Sequence, residues 1–163
     1  MNYPQPASVP FNVQDLIQVL TKNNAYDGLS CALTSAQWQI LGGYLQPFAL
    51  AQGQVLIEQG ALDRTLYFIE SGSLSVHYED EDGRMSLAIV GAGSVVGEGA
   101  FFSRLPRNAS AIGTGLCKLW CLTPVRFTEL ANRQPVIALE LAMGLGAVVA
   151  KRLSNKPKRV AVT

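Results

Sequence analysis

The spacing of apolar positions along this chain changes character twice. Near the N-terminus Val13, Leu16, Ile17 and Leu20 recur three and four apart, which predicts an amphipathic helix over 13–22 capped by Asn12 and ended by Asn23 and Asn24. Before it, residues 1–11 hold three prolines and few charges and read as a loosely docked arm. Thr34, with Gln37 three residues on, has the form of a capping box ahead of Trp38, Leu41 and Leu45 and predicts a helix over 35–45. From Phe48 to about Leu122 the helical period gives way to short β-rich runs between glycines: 55–57, 66–69, 74–78, 86–90, 109–112 and 116–122. Many short strands at that density predict a sandwich or a closed barrel, with Asp80-Glu-Asp-Gly83 as a hairpin turn. Thr123-Pro124 then has the form of a helix cap followed by proline in the first turn, and Pro135 opens another helix whose run 136–150 is apolar apart from Glu140. That run is shorter than the roughly 20 apolar residues a bilayer-crossing helix needs, so a buried or dimer-forming helix is expected rather than a membrane span.

Composition narrows the classes. A length of 163 residues fits one domain of the usual roughly 100–150 residues with short additions. Charged residues are 15% of the chain and the net charge is +1, so there is no overall field to draw the protein onto phosphate backbones or anionic lipid. The three cysteines, Cys31, Cys117 and Cys121, are too few for a disulfide scaffold, and the one histidine, His77, leaves no Cys/His metal set and no base for a serine or cysteine nucleophile. Buried reduced thiols, the absence of a signal-like leader and a cytoplasmic home are the expectations that follow. An enzyme is not expected, a metal-dependent cupin included.

The chemistry-bearing stretch is Gly97-Glu98-Gly99-Ala100-Phe101-Phe102-Ser103-Arg104-Leu105-Pro106-Arg107-Asn108-Ala109-Ser110. It follows a strand, turns at two glycines and reaches an arginine nine residues after the glutamate. A short helical turn from Gly99 to Ser103 would offer main-chain N–H groups to an anion, and Arg107 would add a forked, permanently charged donor set suited to phosphate. Glu98 accepts hydrogen bonds and repels phosphate, so beside an anion its partners are hydroxyls. Together these describe a ribose phosphate. On the residues alone the same pair could equally be a surface ion bridge closing a loop, worth ~0–1 kcal/mol.

Gly97-Glu98, Ala100, Pro106-Arg107, Ala109 and Ser110 resemble the phosphate-binding cassette of cyclic-nucleotide-binding domains of the catabolite activator protein and protein kinase A regulatory subunit type. Gly53-Gln-Val-Leu-Ile-Glu-Gln-Gly60, Leu66-Tyr-Phe-Ile-Glu-Ser-Gly72 and the helical end extend the resemblance over residues 34 to 153. It implies an eight-stranded jelly-roll β-barrel with helices at both ends, divided as arm and short helix 1–33, nucleotide-binding domain 34–155 and basic tail 156–163. It also implies roles: Glu98 on the ribose 2′-hydroxyl, Arg107 on the cyclic phosphate, the N–H groups around Gly99 and Ala100 completing a cradle entered at Gly97, and Ala109 keeping the backbone close to the ligand. Asn108, where small or hydroxyl residues are usual, could donate to phosphate or read a purine edge, so cyclic AMP and cyclic GMP both remain open as ligand, with no other cofactor.

The implied function is a regulatory sensor. Lys156-Pro157-Lys158-Arg159 is too short for a helix-turn-helix and reads as a solvated basic tail, so signalling is expected through a protein partner or a homodimer and not through direct DNA contact. Ala142, Gly146 and Ala150 share one face of the 135–153 helix and suit close packing between two copies. The alternative is a fold that no longer binds nucleotide and serves as a structural or interaction module, motivated by Gly99 and Phe101, where the family usually has aliphatic residues, and by Asn108.

Overall fold

The computed structural model describes residues 9–163, so most of the expected arm lies outside it. The end of that arm is docked: the Phe11 ring meets Trp120 edge-on with centroids 5.6 Å apart, and Lys118 Nζ lies over the same ring, 5.1 Å from its centroid. Helix α1 spans Val13–Lys22, with the Asn12 side chain accepting from Gln14 N and with Leu16 and Leu20 buried. Helix α2 spans Ser35–Gly42 behind the full capping box of Thr34 and Gln37. It ends three residues short of the expected Leu45. The cause is Gly42-Gly43: a Cβ on Gly42 would lie 2.6 Å from Val13 Cγ2, so the glycine lets α1 and α2 touch, and the chain turns directly afterwards.

Eight strands follow: β1 Gln46–Leu50, β2 Val55–Ile57, β3 Leu66–Ser71, β4 Ser73–Glu79, β5 Met85–Gly91, β6 Val95–Val96, β7 Ser110–Gly113 and β8 Cys117–Leu122. They pair antiparallel in two sheets, ordered β1-β8-β3-β6 and β2-β7-β4-β5, and form a jelly roll. The β4–β5 turn is the acidic tip, closed by Asp80 accepting from Asp82 N and Arg84 N. The first sheet is buried on both faces along β3, β6 and β8, while its edge strand β1 is largely exposed. Ile69, Val96, Cys117 and Leu119 fill the space between the sheets, while Leu66, Phe68, Val95, Trp120 and Leu122 form a second core with the helices. The outer face of the second sheet is open, with Leu87 and Ile89 exposed on β5.

Between β6 and β7 the chain forms helix α3, Glu98–Ser103, and after β8 come α4, Pro124–Arg133, and α5, Pro135–Ser154. Thr123 accepts from Arg126 N, as its place before Pro124 predicts. Among the described residues no helix is long and apolar enough to cross a membrane. A second departure lies beyond α5. Residues Lys156–Ala161, expected as a solvated tail, form a 3₁₀ helix packed on α5, β4 and β5, with Ala161 and Thr163 fully buried. Lys156, Pro157 and Arg159 face solvent, while Ala161 and the half-buried Val160 dock the segment on the barrel core.

Candidate functional site

The strand β6 delivers the chain into a tight turn at Gly97, whose φ of 89° is left-handed. A Cβ there would lie 2.5 Å from Thr65 O and 2.7 Å from Arg107 Nη1, so only glycine fits. The turn aims the first main-chain N–H groups of α3 into a recess at the end of the barrel. Gly97, Glu98, Gly99, Ala100 and Arg107 border it, and Asn108 and Ala109 line the cleft beside it.

Arg107 is 2% exposed and points inward. Its Nη1 donates to Gly97 O at 2.9 Å, and its Nη2 donates to Thr65 O and Asp63 Oδ2, both at 2.7 Å. Its Nε is buried with no partner. A buried guanidinium donor without an acceptor is costly, and on the same guanidinium Nη1 reaches the recess. Burial works to raise the Asp63 carboxyl, but hydrogen bonds from Arg107 and Thr65 and the guanidinium charge outweigh it and hold Asp63 below its usual value.

Glu98 is 0% exposed and is held by Arg152, which stands beside Lys151 in the last turn of α5. Arg152 spends all its N–H donors inside the protein. Nε goes to Asp27 Oδ2 at 2.9 Å, Nη1 to Glu98 Oε1 at 2.7 Å and Ala161 O, and Nη2 to Ser94 Oγ and Val95 O. This buried set ties α5, α3, β6 and the loop after α1 into one unit. It also leaves Glu98 Oε2 facing the recess.

The recess is occupied by the chain's own Thr163. Its Oγ1 accepts from Gly97 N at 2.6 Å and donates toward Glu98 Oε2 at 3.5 Å, and its main-chain O accepts from Ala100 N at 3.1 Å and Arg107 Nη1 at 3.4 Å. Gly99 makes this approach possible, because a Cβ there would come within 3.0 Å of the Thr163 carbonyl carbon. Next to it lies an open cleft of about 360 Å³, walled by Tyr78, Asn108 and Ala109 on the barrel side and by Leu153, Arg159 and Val162 on the other. Asn108 is exposed at this wall, one step from the cradle.

Asp63, Thr65, Arg152 and Thr163 are the site residues that sequence reasoning missed. None belongs to a motif, and a basic pair ending a helix is ordinarily explained by the helix dipole. Phe101, whose ring could have crowded the sugar, instead packs edge-on against Phe127 of α4, with centroids 5.2 Å apart. Among the described residues no group of three His, Cys, Asp or Glu could hold a metal. Burial pushes the Cys31 and Cys121 thiols up to about 12 and about 11, which keeps both protonated.

With this geometry in hand, the comparisons with known proteins agree on one class. The sequence profile of the cyclic nucleotide-binding domain matches residues 47–134, more than half of the chain, and the protein belongs to that family. It is 30% identical over 107 residues to the cAMP-activated global transcriptional regulator CRP of Haemophilus influenzae, covering 64% of this chain and 46% of that protein. It is 34% identical over 139 residues to cyclic GMP-binding protein C of Dictyostelium discoideum, covering 85% of this chain and 5% of that protein. The chain thus spans less than half the length of these curated relatives. The solved cyclic nucleotide-binding domain from Methylobacillus flagellatus shares the fold, with a TM-score of 0.77 at 19% identity over 87% of this chain and 78% of that one.

Proposed function

We propose that this protein is a cyclic-nucleotide sensor that takes cyclic AMP or cyclic GMP in the recess at α3 and passes the signal on through a second copy or another protein. The observation that carries the reading is Arg107: a guanidinium buried inside the cradle, with one donor unsatisfied, is poised for a monoanionic phosphodiester. Glu98 Oε2 is placed for a sugar hydroxyl, the Gly97 and Ala100 N–H groups for phosphate oxygens, and the cleft beside Asn108 for the base. Ala109, buried at 1%, keeps the backbone flat against the ligand.

The output is proposed to run through α5. Its outer face carries Val136, Leu139 and Met143, each at least 60% exposed, in line with exposed Gly146 and Ala150. Such a stripe suits a homodimer. Because Arg152 on this same helix grips Glu98, a ligand that draws on Glu98 alters what holds α5 in place, which is the differential contact a switch requires.

The test is a titration calorimetry experiment with cyclic AMP and cyclic GMP. Binding by the native chain that is lost in Arg107→Gln supports the sensor. The other reading, a fold retained as an interaction module, is favoured by Thr163 filling the cradle, and it predicts no binding of either nucleotide under any condition that vacates the recess.

A further inference from the structure

We propose that the segment Lys156–Thr163 is a built-in competitor that occupies the nucleotide site and must leave before ligand enters, an inference that rests on the reading above and adds its regulation. The segment reproduces the ligand's expected contacts group by group. Thr163 O takes the Ala100 N–H and Arg107 Nη1, the donors expected on phosphate oxygens, and the Thr163 hydroxyl lies on Gly97 N and Glu98, where phosphate and sugar hydroxyl are expected. Both cannot be satisfied at once, because each N–H points to one position.

Three further features show a seat shaped for this segment. Gly99 replaces the usual aliphatic residue of the family pattern, and the missing side chain is the space Thr163 fills. Ala161 is fully buried in the barrel core and its O accepts from Arg152 Nη1. Lys158 Nζ donates to Ile89 O at 3.1 Å and lies 3.8 Å from Asp27 Oδ1, while Arg159 Nε donates to Leu153 O at 2.8 Å. The basic residues therefore staple the segment down from outside while its apolar residues and Thr163 fill the site. Arg107 Nε stays without a partner while the segment is seated. A site occupied most of the time shows a ligand affinity lowered by the fraction of time it is free.

The experiment uses the full chain, native and as Ala161→Glu, which forces a charge into the buried seat, and as Gly99→Ala, which crowds Thr163. Nucleotide affinity is read by calorimetry and the exposure of residues 158–163 by amide exchange. The expected result is about a tenfold or greater gain in affinity for both variants, with the 158–163 amides losing protection in the native chain at saturating nucleotide. Equal affinity in all chains, with those amides still protected at saturation, overturns the competitor while leaving the sensor intact. Variants whose amides are freed but that bind neither nucleotide overturn both. Should Ala161→Glu not fold, amide exchange in the native chain at saturation decides the matter.

Discussion

At the scale of single residues, two buried guanidinium groups organise the site, and only one of them was visible in the sequence. Arg107 stands at a fixed interval from Glu98 in a recognisable cassette, whereas Arg152 sits 54 residues from Glu98 with no motif around it. Long-range ion pairs of this kind depend on how helices dock, which no local pattern encodes. Arg152→Met should cost about 3–5 kcal/mol in a urea unfolding experiment, because it leaves Asp27 and Glu98 as buried charges without their partner. An unchanged urea midpoint would show that the buried pairs contribute nothing. Asp63 gives an acid-limb prediction with a definite sign. Its folded value lies below the unfolded value of about 3.9, so its contribution is complete above that pH and disappears as the pH falls through the folded value. Acid titrations of stability should therefore diverge least between native and Asp63→Asn chains at the lowest pH, and most from about pH 4 upward.

At the scale of elements, local signals worked wherever backbone chemistry decided the outcome. The Asn12, Thr34 and Thr123 caps, the acidic hairpin turn and the strands between glycines are where residue type and spacing place them. The misses share a cause. The early end of α2 follows from Gly42 meeting Val13, and the two-residue strand β6 exists only through its pairing with β3. The 3₁₀ segment was hidden by its four-residue basic and proline-containing stretch, which reads as solvated even though the three residues after it are apolar and docked. Gly99 was legible as a departure from the family pattern, but its meaning needed Thr163 beside it.

At the scale of the whole molecule, the barrel supplies one wall of the site, and α5 with the segment that follows it supplies the other. Much of the first sheet lies between two cores, and α5 with the segment that follows it touches both the cradle and the outer surface. If α5 carries the signal through its exposed stripe, the native chain should sediment as a dimer and Met143→Glu should shift it to monomer. A native monomer at high concentration would contradict that role. The sensor reading stands on Arg107 neutralising a cyclic phosphate in this recess. Its most direct test is calorimetric titration of cyclic AMP and cyclic GMP into the Ala161→Glu chain with and without Arg107→Gln. The predicted result is binding of at least one nucleotide that vanishes with Arg107→Gln; binding of equal strength without the guanidinium, or none with the recess open, would contradict it.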